Sequence, residues 1–344
     1  MVEWKTIGEI CKPITPPKKI PTKDYLDAGL FPVIDQGQNM IIAFTNDVSS
    51  LNPNDEYILF GDHTRFVKYY NGCFAQGADG LKILKANSGI VPRYFFFAFQ
   101  NIEVPTRGYS RHWSIAKSLL IPIPSFEEQN RIVGILDTFT DSIENLKQQI
   151  AQRRKQYEFY RDQLLDLEGK EGVEMKTLRD VSIKISSGKN KSKSKEGKYP
   201  VFGSTGIIAF SDSFIYENPM ILVARVGANA GYVHLSYGKY DVTDNTLIID
   251  LREEVDQKYI YYNLVKENIN QYAKGGGQPL ITASIIKSII VPVPSLSEQQ
   301  RIVSILDTFE ASISNLEAQL AQRQKQYEYY RNKLLSFGNG DGES

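Results

Sequence analysis

Five lysines lie in one short segment, where several of them alternate with serine, and they are the first candidates for a chemical role. The segment contains a single acidic residue, Glu196, so its local charge is strongly positive. Lysine is a point charge on a long stem and serine is a small donor, and both residue types contact phosphate oxygens. The alternative is a solvated loop, which is what a run of charges usually forms. The lysines are Lys189, Lys191, Lys193, Lys195 and Lys198.

Other loops contain arginine, asparagine, glutamine and tyrosine among small residues. Arginine, asparagine and glutamine can hydrogen-bond the edges of bases in a bidentate manner, which aliphatic side chains cannot do. We therefore interpret these residues as candidate DNA contacts, although such loops also occur in proteins that never touch DNA. The candidates are Arg65, Lys68, Arg107, Tyr109 and Arg111 in the first half of the chain, and Arg225, Asn229, Lys274 and Gln278 in the second half.

Sequence motifs that would supply catalysis are missing. There is no phosphate-binding loop of the Gly-x-x-x-x-Gly-Lys-Ser/Thr type, and no Asn/Asp-Pro-Pro-aromatic motif of an amino-methyltransferase. His63, His112 and His234 lack the spacing of metal ligands. The two Glu-Gly-Lys triplets, at 168–170 and 196–198, follow no convincing strand and are better interpreted as solvated loops. We predict no catalytic and no metal site, and an enzyme with an unrecognised nuclease or methyltransferase centre is the alternative.

The elements that must position these loops occur in two copies. Residues 121–167 and 291–337 align at a constant offset of 170, with 29 identities in 47 positions. The segments upstream repeat more loosely, as in 2–6 and 173–177. The chain therefore consists of a diverged half, a preserved segment, a second diverged half and a second preserved segment.

Each preserved segment is predicted to be one long helix. Ser125 with Glu128, and Ser295 with Glu298, have the spacing of a capping box, and prolines just upstream end the preceding strand. Apolar residues then recur at alternating steps of four and three, as in the seam of a coiled coil, with one arginine interrupting both copies at the same place. The seam residues are Phe139, Ile143, Leu146, Ile150 and Tyr157 in the first helix, and Phe309, Ile313, Leu316, Leu320 and Tyr327 in the second.

A stripe of that length cannot be buried by one small domain. We therefore predict that the two helices pair with each other in a coiled coil. The arrangement that we adopt for the pair is antiparallel, which gives a pseudo-twofold internal repeat. The alternative is two separate helices, each on its own domain. The diverged halves carry strand-like stretches at 56–60, 220–223 and 247–250, and helices are expected near 92–99 and 257–262. The predicted fold class is α+β, with two mixed α/β domains separated by the two helices.

Composition and charge set further limits. The chain has 344 residues, enough for two or three domains, and its 40 basic residues equal its 40 acidic ones. This balance excludes a uniformly basic nucleic-acid coat. Cys11 and Cys73 are too far apart in sequence to suggest a disulfide scaffold, and the longest dense apolar run, 94–99, is too short for a membrane span. Residues 1–5 do not begin a secretory signal, so we expect a cytoplasmic location.

The preserved segments resemble the conserved helices in specificity subunits of type I restriction-modification systems. The resemblance rests on the Pro-x-Pro-Ser sequence at 292–295 with 298–303, on its copy at 122–133, and on Gly-Gly-Gln-Pro-Leu at 276–280 followed by 285–288. The first half departs from the family pattern, because it ends in 107–113 and lacks Gly-Gly-Gln. The likeness covers nearly the whole chain.

The resemblance implies a non-catalytic subunit in which each diverged half binds one part of a split site on double-stranded DNA. It also implies partners, namely two methyltransferase (modification) subunits and two restriction subunits. The partners would use S-adenosylmethionine, ATP and Mg for adenine methylation and cleavage, and this chain would bind no cofactor. A coiled-coil scaffold without DNA contact is the alternative function. The implied boundaries are target recognition domains at 1–120 and 169–290, spacer helices at 121–168 and 291–338, and a tail at 339–344.

Overall fold

The chain forms two compact units, each built around one of the diverged halves. The computed structural model describes residues 2–77, 79–106, 108, 110–275, 277 and 279–337. The first unit comprises Met1–Lys147 and Ala318–Ser344, and the second comprises Gln148–Glu317. These limits differ from the predicted boundaries, because each unit also contains the beginning of one long helix and the end of the other.

The first unit begins with a diverged domain of strands with three helices. Short 3-10 helices lie at Thr22–Asp24 and Val48–Ser50. The regular elements are β1 (Glu3–Thr6), α1 (Ile7–Ile10), β2 (Cys11–Ile14), β3 (Phe31–Ile34), β4 (Ala43–Thr45), β5 (Leu51–Gly61), β6 (Val67–Gln76), β7 (Leu81–Ala86), α2 (Pro92–Gln100), α3 (Trp113–Ala116), β8 (Leu120–Ile123) and α4 (Phe126–Leu164).

Strand β5 lies inside a six-stranded sheet of order β2-β7-β5-β6-β3-β4, in which β3 runs parallel to β6. Successive residues of a strand point to opposite faces of the sheet. Ile58 and Phe60 accordingly join the apolar core that includes α2, whereas Tyr57 and Leu59 join a separate core on the other face. Strands β1 and β8 form a two-stranded sheet next to this domain.

The second unit repeats this order with its own strand lengths. One 3-10 helix lies at Ile269–Tyr272. The regular elements are β9 (Glu174–Thr177), α5 (Leu178–Val181), β10 (Ser182–Ser187), β11 (Tyr199–Gly203), β12 (Gly206–Ser211), β13 (Met220–Ala224), β14 (Val233–Ser236), β15 (Asp241–Val242), β16 (Thr246–Leu251), α6 (Gln257–Glu267), α7 (Ala283–Ser288), β17 (Ile290–Val293) and α8 (Leu296–Leu335).

Its strands form a four-stranded sheet of order β10-β16-β13-β14, a three-stranded sheet of order β12-β11-β15, and the pair β17-β9. Strand β13 is buried on both faces. Ile221 and Val223 pack into the core that contains α6, and Leu222 packs with Tyr240 in a separate core. The strands and helices that the sequence predicts in the diverged halves are confirmed, since they fall within β5, β13, β16, α2 and α6.

The long helices begin later than the predicted segment boundaries, because 120–123 and 290–293 are strands paired with the start of each half. The serine caps are confirmed: the backbone N–H groups of Glu128 and Glu298 donate to the hydroxyls of Ser125 and Ser295 at 3.3 and 3.4 Å. The predicted reciprocal half of the capping box is wrong. The Glu128 carboxylate pairs instead with Arg131, one turn further along the helix.

The predicted seam lies on the sheltered side of both helices. Ile150 is buried and the other nine seam residues are half-buried. In the second unit, Tyr160 stacks on Phe309 with ring centroids 5.4 Å apart, and Arg154 pairs with Glu317. Positions rise along α8 as they fall along α4, so the helices are antiparallel there.

The arginine that interrupts the seam packs against an aromatic ring in both units. Arg153 lies over the ring of Phe309 at 5.8 Å in the second unit, and Arg323 lies over Phe139 at 5.6 Å in the first. Phe139 in turn stacks on Tyr330 at 5.3 Å. A guanidinium over an aromatic face keeps its charge while covering apolar surface, which explains why the seam tolerates it.

The predicted fold class is confirmed.

None of the helices within the described residues has an apolar stretch that could cross a bilayer.

Candidate nucleic-acid interface

Three strand ends meet at one edge of the four-stranded sheet in the second unit. Ser187 at the end of β10 lies opposite Leu247 near the start of β16, and Ala224 at the end of β13 lies opposite Thr246. The segments that leave these strands are therefore neighbours, although they are far apart in sequence. Just beyond, the backbone N–H of Arg225 donates to the carbonyl of Asn245 at 2.9 Å.

The lysine-rich segment starts at this edge, and its alternate residues point in opposite directions. Asn190 donates to Asp241 at 2.7 Å, and the Ser192 hydroxyl donates to the carbonyl of Phe210 at 2.8 Å. These residues hold the segment against the protein, which leaves the serine hydroxyl unavailable as a phosphate donor. The intervening lysines are exposed, and we find no ion pair between them and another described residue. They are Lys189, Lys191, Lys193 and Lys195, which we call the lysine row.

Gly188 allows the lysine row to leave β10 so close to the sheet. A Cβ atom at this position would lie 2.1 Å from the carbonyl oxygen of Val242, which is a backbone atom and cannot simply rotate away. The N–H of Gly188 donates to Thr246 and the N–H of Asn190 donates to Val242, at 3.1 and 3.0 Å. Glycine is therefore required by close approach of two backbone segments.

Arg225 is fixed at the same edge by a second loop. Its carbonyl accepts from the N–H of Ile281 at 2.8 Å, and Lys274 and Leu280 bond to each other across that loop at 3.1 and 2.9 Å. Asn229 and Lys274 are exposed, whereas Arg225 is half-buried and its Nε atom is buried without a hydrogen-bond partner among the described residues. The structure thus brings Arg225, Lys274 and the start of the lysine row to one edge of the sheet, and Asn229 lies in the loop that leaves this edge after Arg225. The later lysines of the row lie beside β12, where Ser192 and Ser194 bond to Phe210.

A group of buried polar atoms beside this edge was not predicted. Both ring nitrogens of His234 and the hydroxyls of Thr243 and Thr246 are buried without a hydrogen-bond partner within the described ranges. The His234 ring lies 5.4 Å from that of Phe202 and 5.8 Å from that of Tyr232. Burial lowers the pKa of His234 below its ordinary value, so the neutral form is favoured. Isolated threonines and a histidine carry no sequence signal of this kind.

In the first unit, Asp62 organises the corresponding sheet edge. This buried residue follows β5, its carbonyl accepts from the N–H of His112 at 2.8 Å, and its Oδ1 accepts from the N–H of Trp113 at 2.7 Å. Arg111 is exposed beside this anchor, and Arg65 lies in the turn between β5 and β6. These two arginines are the described candidates that the first unit exposes.

The interpretation of Lys68 as a DNA contact is wrong. Only 6% of its surface is exposed, and its ammonium group donates to the backbone carbonyls of Asp35, at 3.0 Å, and Asn39. Burial lowers its pKa. Lys68 therefore supports the loop that follows β3, and it is not placed to contact a phosphate. Arg107, Tyr109 and Gln278 lie outside the described residues.

Two buried glutamines, also missed by the sequence analysis, attach the long helices to the domains. Oε1 of Gln129 accepts from the N–H of Val91 at 2.8 Å, and Oε1 of Gln299 accepts from the N–H of Asp256 at 2.8 Å. Val91 and Asp256 are the residues that begin α2 and α6. The Glu-Gln pair that is preserved in both repeats was the sequence signal for these anchors. The sequence analysis relied on hydrophobic periodicity, which does not identify a buried polar residue.

Salt bridges repeat the attachment about two turns further along each long helix. Arg93 pairs with Asp137 at 2.7 Å in the first unit, and Lys258 pairs with Asp307 at 2.6 Å in the second. The carboxylate of Asp307 also accepts from the hydroxyl of Tyr262, and this bond together with burial raises the tyrosine pKa. Each domain is thus joined rigidly to the helix that follows it.

Within the described parts of the chain, no group of three or more His, Cys, Asp or Glu side chains is arranged as a metal site would require.

The family model of the type I restriction modification DNA specificity domain matches the chain twice, over residues 1–153 and 170–324. The protein belongs to this family. The type I specificity subunit EcoR124I/EcoR124II of Escherichia coli is 30% identical to it over 385 residues, covering 98% of this chain and 94% of the relative. The two matches coincide with the two repeats.

Solved structures of type I specificity subunits share the fold. The S subunit of a type I restriction-modification system from M. genitalium superposes with a TM-score of 0.72 at 17% identity, over 98% of this chain and 97% of that one. A chain from a study of complex assembly in a type I R-M system gives a TM-score of 0.56 at 18% identity, over 97% and 96%. As a member of the specificity family, the protein recognises DNA and is not itself an enzyme, and the scaffold alternative is not favoured.

Proposed function

We propose that each unit of this specificity subunit reads one part of a bipartite DNA site through the sheet edges described above. The observation that carries the proposal is that Arg225, Lys274 and the start of the lysine row meet at one edge of the second unit, with Asn229 in the loop that follows Arg225. Arginine and asparagine can read base edges, whereas exposed lysines hold the phosphate backbone without regard to sequence.

The two half-sites should differ in sequence. The sheet edges of the two units have equivalent positions in the fold but different side chains, with Arg65 and Arg111 in the first unit and Arg225 and Asn229 in the second. Different donors and acceptors select different bases, so the complete site is not a palindrome.

We further propose that two copies of one methyltransferase subunit bind the long helices, with two restriction subunits completing the complex. Support comes from a pair of aromatic residues at the same position of both repeats. Phe159 and Tyr329 are 61% and 59% exposed. Large apolar side chains that stay exposed at matched positions are typical of a contact surface that is used twice. S-adenosylmethionine, ATP and Mg would be bound by these partners.

The test is selection of bound sequences from random DNA by the full chain reconstituted with its methyltransferase subunit, followed by sequencing. Arg225→Ala should relax one or two base positions in a single half-site, because one lost bidentate contact costs about 1–3 kcal/mol of discrimination. Arg252→Ala, which removes the same charge at the opposite end of the sheet, is the control. An unchanged selected sequence for Arg225→Ala would contradict the assignment of this edge.

Partner binding is tested separately. Phe159→Ser with Tyr329→Ser should weaken methyltransferase binding in a pull-down or calorimetric titration, while Gln152→Ala, a polar substitution on the same helix, should not. Equal binding by all three proteins would place the partner elsewhere on the chain.

A further inference from the structure

A groove of about 530 Å³ in the first unit lies between the β5–β6 turn, the end of α2 and the last turns of α8. Two arginines, Arg65 and Arg331, line it together with Phe66, Gln100 and Tyr327. The lining formed by the described residues includes no aspartate or glutamate. Two guanidinium groups in one groove repel each other unless an anion is shared between them.

The half-buried guanidinium of Arg331 is hydrogen-bonded only in part, and it has no carboxylate partner among the described residues. Its Nε atom is buried without a hydrogen-bond acceptor among the described residues, and its terminal nitrogen reaches Asn332 only at 3.4 Å. The guanidinium lies over the ring of Tyr327 at 5.5 Å, which stabilises the charge but leaves the Nε proton unsatisfied.

In the first repeat, the equivalent arginine also lies over a tyrosine ring, but its charge is paired with a carboxylate. Arg161 occupies the equivalent helix position and lies over Tyr157 at 5.7 Å. Its Nε and terminal nitrogen both donate to the carboxylate of Asp162, at 2.9 and 2.8 Å. In the second repeat this aspartate is replaced by Asn332, so the negative charge and the acceptor for Nε are missing in this copy, and only the long bond to the Asn332 amide oxygen remains.

Arg65 is held at the groove by the backbone. It adopts a φ of 64°, in the left-handed region that is unusual for arginine, and its terminal nitrogen donates to the carbonyl of Val104 at 2.9 Å. One hydrogen bond leaves most of the five guanidinium donors for a ligand. The neighbouring carboxylate, Asp137, is already paired with Arg93 and does not compete.

The corresponding groove in the second unit, of about 350 Å³, carries different groups. It lies between the β13–β14 turn and the end of α6, and Asn229, Asn268, Asn270, Tyr232 and Tyr261 line it together with small and apolar residues. Its described lining contains no arginine and no residue of α4. The paired cations are therefore a property of the first unit, and not of the shared fold.

We propose that the groove of the first unit binds a nucleoside phosphate, with Arg331 and Arg65 as ligands of the phosphate and Phe66 against the base. The guanidinium fork matches the oxygens of a phosphate, and an exposed aromatic ring beside arginines is suited to stacking a base. Phe66 is 43% exposed, which leaves its ring available. The ligand is a free nucleotide or a nucleotide of a DNA strand. The two proposals share Arg65, but Arg331, Asn332 and Phe66 belong to the groove alone, so variants at these three positions test it separately from the half-site assignment.

The test uses the full chain and titrates AMP and inorganic phosphate by calorimetry. Asn332→Asp restores the acceptor that Arg161 has in the other repeat and should weaken AMP binding about tenfold or more, as Arg331→Gln should, because one charge-assisted hydrogen bond is lost or occupied. Phe66→Ala should weaken AMP but not phosphate. Arg161→Gln, which removes the matched arginine of the second unit, is the control and should leave both affinities unchanged.

Thermal unfolding of each variant confirms that the fold is retained. If AMP gives no binding heat at millimolar concentrations, or if Asn332→Asp and Arg331→Gln bind it as the parent protein does, the proposal is wrong. A titration with a random DNA duplex identifies the source of the phosphate. Weaker DNA binding by Asn332→Asp indicates a backbone phosphate, and unchanged DNA binding with loss of AMP binding indicates a free nucleotide.

Discussion

Replacing two members of the lysine row by alanine should weaken DNA binding in a manner that depends on salt and not on sequence. Lys191 and Lys193 are suited to this change, because both are exposed and we find neither in an ion pair with a described residue. The intervening Ser192 anchors the backbone through Phe210 and stays in place. The substitution therefore removes charge with little effect on the path of the chain.

The magnitude follows from counterion release. Each phosphate contact contributes about 0.9 to the slope of log affinity against log salt concentration, so the double variant should reduce the slope by about 1.8. Over a fourfold change in salt concentration this difference corresponds to roughly 12-fold in affinity. The loss of affinity relative to the parent protein should accordingly be about 12-fold greater at the low-salt end of such a range.

Fluorescence anisotropy with a specific and a scrambled duplex, at several salt concentrations, measures both quantities. The matched control is Lys155→Ala with Lys325→Ala, which removes the same charge from exposed positions of the two long helices. A control that changes the slope as much would show that only net charge matters. A double variant of the row that keeps the parent slope, or that loses affinity for the specific duplex alone, would refute the phosphate assignment.

Three further substitutions test the scaffold by urea unfolding. Gln129→Ala removes three hydrogen bonds of a side chain that is 1% exposed, so it should lower the free energy of unfolding by about 2–4 kcal/mol. The exposed control Gln152→Ala should change it little, and equal effects would contradict the role of Gln129 as an anchor of the helix. Gly188→Ala must displace the backbone of Val242 and should lower the free energy of unfolding by more than about 1 kcal/mol. The control Gly134→Ala, at an open helical position, should raise the free energy of unfolding slightly, and the reverse order would contradict the close approach at Gly188. Burial lowers the folded-state pKa of His234, so the free energy of unfolding of the parent protein should fall as pH drops below about 6.5, by up to about 1.4 kcal/mol per pH unit. His234→Phe should reduce this loss, and an unchanged pH dependence in the variant would contradict the role given to His234.

The sequence alone determined the repeat, the two long helices, their serine caps and the elements of the diverged halves. These features depend on local patterns, since a helical stripe, a capping serine and a run of apolar residues are readable within a few neighbouring positions. The pairing of the two helices could also be predicted, because a stripe so long has no other apolar surface large enough to cover it. The length of the stripe does not set the direction of the pair, which the contacts of Tyr160 with Phe309 and of Arg154 with Glu317 show to be antiparallel in the second unit.

Only the tertiary structure decided which polar residues lie together and which are buried. Gly188, Asn245 and Arg225 become neighbours through hydrogen bonds between strands that are far apart in the chain, and strand order is not encoded in local periodicity. The same long-range packing placed Lys68 in the interior, where backbone carbonyls satisfy its charge, and turned Gln129 into an anchor between a helix and a domain. Whether a polar side chain faces solvent or an internal acceptor depends on segments that meet only when the chain folds.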